Sequence, residues 1–411
     1  IRCAYQSLPP GLVLSENGLI SGLCTDAGTY RFTVVVTDGK LMATNAAYAM
    51  TVAPNANRPP VVDAFSPEGR VSVAVGQSRT FSVRAHDPEG RTLTYTWYAD
   101  GTRLASTSNA CTVTFGDNQA HSDVRVRCVI SDGVWVAGVE QTWNVSVYKI
   151  WNLNPTDDHD LSAAFYDEEG WFRFGEGDVL RLAAGEYVLP WGIDAESTVR
   201  IEAAGDGEVV LVGQCADNDR GIAYLYFYSG WRSSTIRGVT LRNCYVSNAS
   251  LENCRLTGNT SDSVAYNCRL TNCGIFGNEA WCLAYECDLI GCTVAGNVCS
   301  DYALESDCSV SNSIVACNFD YEGQTRNYCF GYEVNGSETN WWGTAFAYSL
   351  TDPLPFAGAG NLTGDPRLVA PEFGDLRLRT GSPCLGTASD GRNMGVDQGT
   401  GVSGFVVKVR I

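Results

Sequence analysis

Positive charge is what this chain lacks. Lysine and arginine total 28 against 46 aspartates and glutamates, a formal net charge of -18. A chain so short of cations has no basic face to set against phosphates, which argues against nucleic acid and anionic membrane surfaces as partners. The acidic balance serves solubility, and it suits a protein that tolerates calcium or cationic surfaces. No apolar run approaches the roughly 18 residues that a membrane span needs. No signal peptide is visible either, so a secreted form would have lost its signal already. Long amphipathic helical patterns are missing too. The 43 glycines, set among many Thr, Val, Asn and Tyr residues, instead point to an all-β chain.

Histidine is as scarce as lysine. The three of each are His86, His121 and His159, and Lys40, Lys149 and Lys408. With so few imidazoles, and no CxxC pair matched by a second, zinc has no ligand set. Cysteine, by contrast, is abundant, with 17 in all. Four precede residue 150 and fall into two local pairs, Cys3 with Cys24 and Cys111 with Cys128. Such pairs are expected as disulfides of an oxidising, extracellular setting. The other thirteen lie between Cys215 and Cys384, an odd number, so at least one is free or pairs with another chain.

At 411 residues the chain is long for one domain. Residues 1–54 carry LPPGL, then GLISG, then AGTYRFTVVVTD, with Tyr30 to Val36 a period-2 strand. This resembles the bacterial putative-immunoglobulin and cadherin-like modules. In those modules two strands precede LPPGL, whereas only six residues precede Ser7 here, so the resemblance implies an incomplete first module. Residues 55–149 open on NRPPVV, turn at HDPEG, continue through LTYTWYADG and close on CVISDG. They resemble polycystic-kidney-disease-type and related Ig-like sandwich modules, a likeness that makes Trp97 the core tryptophan. His86 and Asp87 carry groups that ligate metals, but Asp, Pro and Gly together read as a hydrogen-bonded turn.

From residue 150 to 411 the chain changes character. NCRLTNCGIFGN (267–278) returns as ECDLIGCTVAGN (286–297) and again as DCSVSNSIVACN (307–318). The closing asparagines, Asn259, Asn278, Asn297 and Asn318, are spaced 19, 19 and 21 apart. Cys268, Cys287 and Cys308 keep the same step, with Cys273, Cys292 and Ser313 behind them. A period near twenty with alternation inside it means stacked coils of short strands, a right-handed parallel β-helix. Stacking sets Leu270, Leu289 and Val310 on one inward ladder and Ile275, Val294 and Ile314 or Val315 on another, while the asparagines bond along the stack. The cysteines either pack as small apolar side chains or bridge neighbouring coils. GDPRLV, GDLRL, GSPCLG and VDQG near the end, with TNWWG at 339–343, resemble bacterial β-helix proteins of the choice-of-anchor Q type. That resemblance implies the architecture and leaves activity open.

Parallel β-helices include polysaccharide lyases and hydrolases. A lyase acting on acidic glycans needs a positioned base and a cation, yet no lysine or histidine falls within the repeats. Arginines and tyrosines remain as candidate bases. A hydrolase needs two carboxylates about 5–10 Å apart, for which Asp262, Glu279, Asp301, Glu305, Asp307 and Asp320 are available. No catalytic residue is assigned. The runs Asp157-Asp158-His159-Asp160 and Asp217-Asn218-Asp219 are the candidates for calcium, without the spacing of a calcium loop. Aromatic residues are numerous, and stacking on them is how sugar rings are held. Trp231, Trp281, Tyr285, Tyr302, Trp341 and Trp342 are the candidate glycan contacts.

These features describe an extracellular, surface or secreted bacterial protein of adhesin-like or structural kind, with a glycan or another surface protein as partner. A polysaccharide lyase or hydrolase is the alternative. The terminal strand GFVVKVRI, 404–411, could add to the incomplete first module of a second copy and build a head-to-tail polymer.

Overall fold

The computed structural model describes residues 2–4, 8–15, 18–22, 24, 26–37, 43–53, 57–134, 138–155, 174–189, 192–214, 222–228, 233–327, 344–355 and 357–397. Trp231, Trp341, Trp342, both acidic runs proposed for calcium and the strand 404–411 lie outside them. Among the described residues the chain is nearly all strand, with two short 3-10 turns, Asp117–Gln119 and Pro371–Phe373. It forms two compact units, one of Ile1–Val71, Ser78–Thr114 and Val124–Val145, the other of Ser72–Gln77, Phe115–Asp123 and Ser146–Ile411.

Period-2 alternation builds the N-terminal part. Gly28–Thr37 pairs antiparallel with Ala43–Val52, and Arg2–Ala4 pairs with its other edge. Phe32 turns inward and stacks on Tyr48 at 5.9 Å. The sandwich that follows has a five-stranded sheet in the order Thr102–Arg103, Thr94–Ala99, Asp123–Ser131, Val139–Tyr148, Val71–Ala74. Its three-stranded partner runs Ala110–Thr114, Ser78–His86, Val61–Ser66. Trp97 is fully buried and lies 5.7 Å from the stacked ring of Trp143. Its indole N–H donates to the Ser108 carbonyl at 2.9 Å. HDPEG is a turn, in which Asp87 Oδ1 accepts the N–H groups of Glu89 and Arg91.

The expected disulfides do not form. Cys111 and Cys128 are buried free thiols, and Cys24 is free as well. Cys111 sits opposite Phe81 in the three-stranded sheet, and Cys128 opposite Trp97 in the five-stranded one. Beside them pack the rings of Phe81, Trp143 and Trp97, with Phe81 5.2 Å from Trp143, and the Cys111 thiol is near enough to help burial push Cys128 up.

The β-helix comprises three parallel sheets of nine, eight and six strands. Inward ladders keep strict register. The first runs Leu180, Ile201, Ile236, Leu251, Leu270, Leu289, Val310, Phe346. The second includes Leu241, Leu256, Ile275, Val294 and Val315, and the third Leu225, Val246, Ala265, Ala284 and Leu304. Their side chains make one continuous core. Ile314 is excluded from the second ladder: it stands over Thr293, and the segment around Met394 covers it from outside. Coil length is less regular than the sequence repeat suggests. Along the first ladder, Ile201 to Ile236 is 35 positions and Ile236 to Leu251 only 15, before the step settles at 19.

Each coil turns its corners with a two-residue device. The first residue adopts a left-handed backbone, as at Asn253, Asn272, Gly291 and Asn312, or at Gly258, Gly277 and Gly296. Asn and Gly tolerate that region best. The second residue points inward, and its polar atom accepts the backbone N–H of the coil before. The Cys254 N–H reaches Cys273 Sγ at 3.4 Å, Cys273 reaches Cys292 Sγ at 3.5 Å, Cys292 reaches Ser313 Oγ at 3.0 Å and Ser313 reaches Ser349 Oγ at 3.1 Å. Cys268, Cys287 and Cys308 form a second such column. In the third, the side-chain amides of Asn259, Asn278, Asn297, Asn318 and Asn327 bond in succession, at 2.7 to 3.1 Å. All these coil cysteines carry free thiols. Packing, with the thiol as acceptor, is the arrangement found.

In the second unit a buried carboxylate closes the first coil. Asp178 accepts His121 Nε2 at 2.9 Å, the Lys149 N–H at 2.7 Å and the Trp151 indole N–H at 3.0 Å.

Because serine already fills two rungs of the column, Ser313 and Ser349, Cys273→Ser should fold with little loss of stability. Cys273→Val leaves the Cys254 N–H buried without an acceptor and should cost about 1–3 kcal/mol. Urea unfolding of the two variants checks the difference.

Candidate functional site

Outward positions of the third sheet collect tyrosines. In Ala223–Phe227, alternation sends Ala223, Leu225 and Phe227 into the core and Tyr224 and Tyr226 out. Register then aligns Asp194, Tyr226, Ser247, Tyr266, Tyr285 and Glu305 in one column, with Tyr224 over Tyr245 beside it. The rings touch. Tyr224 stacks on Tyr226 at 5.8 Å, Tyr226 lies 5.6 Å from Tyr245, and Tyr266 lies 5.7 Å from Tyr285. Tyr228 continues the face and is 58% exposed.

Three of these hydroxyls, those of Tyr226, Tyr245 and Tyr266, are held more firmly protonated than usual. Burial, then the neighbouring Tyr224, Tyr228 and Asp194, push Tyr226 up, while the charge of Glu286 followed by burial pushes Tyr266 up. Burial and the surrounding tyrosines do the same to Tyr245. The face therefore offers apolar rings edged by neutral hydroxyl groups.

The column ends where a second aromatic group begins. Past the inward asparagines, Glu279–Ala280 pairs with Val298–Cys299, and Val298 bridges to Phe319. Trp281 follows this strand, and its carbonyl accepts the Asp301 N–H at 3.1 Å. Trp281, Phe319 and Tyr321 are 45%, 41% and 69% exposed. Tyr321 is steadied by its hydroxyl, which donates to Glu279 Oε1 at 2.9 Å. Tyr302 lies beneath the Arg326 guanidinium at 5.4 Å, and Arg326 is held by Asp320 at 2.9 Å.

Glu305 joins the two groups. Its carboxyl is pushed up to about 7, first by burial, then by the hydrogen bond and charge of Asp301, against the opposing Tyr302 N–H. Beside it, burial pushes the Cys282 and Cys299 thiols up to about 12, and Cys282 Sγ sits 3.1 Å from Ser263 Oγ. These thiols are poor nucleophiles at neutral pH.

A hydrolytic carboxylate pair needs room for a sugar oxygen or a water between its members. Asp301 and Glu305 are instead close enough for the Asp301 carboxylate to push Glu305 up, which leaves no such gap. Among the described residues no group of three His, Cys, Asp or Glu side chains is placed to hold a metal ion.

Of the candidate glycan contacts, the structure puts Trp281 and Tyr302 on the exposed group and Tyr285 in the tyrosine column. Tyr245, Tyr266 and Phe319 are additions that sequence reasoning did not single out. Their signal was present as an aromatic one coil away from another, Tyr266 and Tyr285 being 19 apart.

Glu305 makes stability depend on pH. Its folded value of about 7 lies above its ordinary 4.5, so between those limits the folded chain holds a proton that the unfolded chain does not. Its contribution is fully present below about pH 4.5 and is lost as pH rises through about 7. Urea midpoints measured from about pH 4 to 8 should show that decline, and Glu305→Gln should flatten it.

The Putative Ig domain family model matches residues 4–53. Chitinase A of Pseudoalteromonas piscicida is 33% identical over 143 residues, which is 34% of this chain and 17% of that protein. The chain thus spans under a fifth of the length of that relative. Among solved structures, an endo-fucoidan hydrolase from glycoside hydrolase family 107 is similar over 36% of this chain and 23% of its own, at 19% identity and a TM-score of 0.16. Domains 1–6 of the surface layer protein SbsC are similar over 34% of this chain and 19% of their own, at 21% identity and a TM-score of 0.15. Scores this low carry no argument about activity. No helix among the described residues is long and apolar enough to cross a membrane. What the chain contains is an Ig-like N-terminal domain and a parallel β-helix.

Proposed function

We propose that this chain belongs to an extracellular bacterial protein, secreted or held at the surface, whose β-helix is a scaffold presenting a glycan-binding strip. The observation that carries the reading is the number of aromatic side chains gathered on the coils and left exposed. Trp281, Phe319 and Tyr321 stand exposed around one end of a tyrosine column that follows the helix axis. A monomeric soluble protein rarely leaves grouped aromatic side chains in water without a contact to make. Rings edged by hydroxyls suit pyranoses, which offer an apolar face and a hydroxyl rim.

The chitinase A relative, a protein named for an activity on a glycan, supports a carbohydrate setting. The C-terminal resemblance to choice-of-anchor Q proteins supports export. Turnover at the strip has no support from the Asp301–Glu305 pair, which is in contact rather than spaced for hydrolysis.

Affinity electrophoresis against a panel of soluble polysaccharides tests the reading. At least one should retard the protein, and Trp281→Ala with Tyr321→Ala should weaken that retardation at least about tenfold, the scale of one to three kcal/mol for lost ring contacts. Melting temperature should stay unchanged, since both side chains are exposed. New reducing or unsaturated ends during incubation would show an enzyme instead.

A further inference from the structure

Among the described residues, the charged side chains set beside the tyrosines are acidic. Asp194 stands in the tyrosine column beside Tyr226, Glu286 bonds the Tyr266 hydroxyl, and Glu305 follows Tyr285. At the exposed end, Glu279 bonds Tyr321 and Asp301 bonds Glu305. The cation among them, Arg326, is held by Asp320 in a two-nitrogen contact at 2.9 and 3.2 Å. A uronate or sulfate laid on this surface would meet carboxylates, and among the described residues the neighbouring Arg326 is already paired with Asp320. Like charges brought together at a binding face oppose association. The column follows the axis at the coil spacing of about 4.8 Å, so a linear chain lying that way passes several of its rings.

We propose that the ligand of this strip is a linear glycan bearing free amino groups, its ammonium groups set against Asp194 and Glu286 and its sugar faces on the tyrosines. The proposal rests on the glycan-binding reading above and adds the charge class. Ammonium contacts to these partly exposed carboxylates are individually weak, so selectivity comes from the two acting together and fades with salt.

Short oligomers of glucosamine, N-acetylglucosamine and galacturonate, titrated calorimetrically into the full chain, test it. The glucosamine oligomer should bind at least about tenfold more tightly than either of the others, with the preference lost near 1 M salt, where the screening length is only about 3 Å. The near-isosteric double variant Asp194→Asn/Glu286→Gln should reduce glucosamine binding about fivefold or more, two weak contacts being removed. A remote control, Asp206→Asn/Glu372→Gln, should leave binding unchanged. Equal or tighter binding of galacturonate or of the acetylated oligomer overturns the charge class while leaving glycan binding in place. An equal loss in the remote control also overturns it, as the attraction would then come from net charge. If none of the three oligomers binds, this proposal falls, and if the polysaccharide panel fails as well, the glycan-binding reading falls with it.

Discussion

Every other feature of the coiled region depends on how a backbone N–H is satisfied at the corners of the coil. Strand residues pair with the coils above and below, but at a corner the chain changes direction, and a buried N–H there would be orphaned. The protein meets this with a left-handed residue followed by a small inward acceptor, as in Asn272-Cys273, Gly277-Asn278 and Gly291-Cys292. Thiol, hydroxyl and amide serve alike, since Cys254, Cys273, Cys292, Ser313 and Ser349 belong to a single column.

This changes what the cysteines mean. Their number resembles that of a secreted disulfide framework, yet the coil thiols are free and bonded to backbone. A disulfide between neighbouring rungs would remove the acceptor that each supplies to the coil before it. Burial also pushes the Cys244 and Cys308 thiols up to about 12, which keeps them from thiolate chemistry. Cysteine here is a compact packing residue that also accepts a weak hydrogen bond.

The same corners create the surface that we read as functional. Because they hold register over successive coils, an outward position on the third sheet stays outward, and a tyrosine there comes to lie beside the next. The face follows from the stack, and the carboxylates on it inherit their spacing from the stack as well. Glu305 is pushed up first by burial and then by the neighbouring Asp301, at the position where register sets it over Tyr285.

Taken alone, the sequence determined the stacking. The steps of 19 and 21 between Asn259, Asn278, Asn297 and Asn318 leave one way to superpose like on like, and the inward ladders through Leu270 and Ile275 follow from alternation. All-β character and the core position of Trp97 were legible for the same reason, since both are written in residues close together in the chain. The early coils were not legible, because the steps of 35 and 15 around Ile236 break the period while the hydrogen-bonded register continues. Whether Cys111 bonds to Cys128 was decided only by three dimensions, in which both are free thiols on facing sheets. So was the union of Tyr226, Tyr266, Tyr285 and Glu305 on one face. Spacing along the chain says which residues stack, but only the path of each coil says what lies beside them.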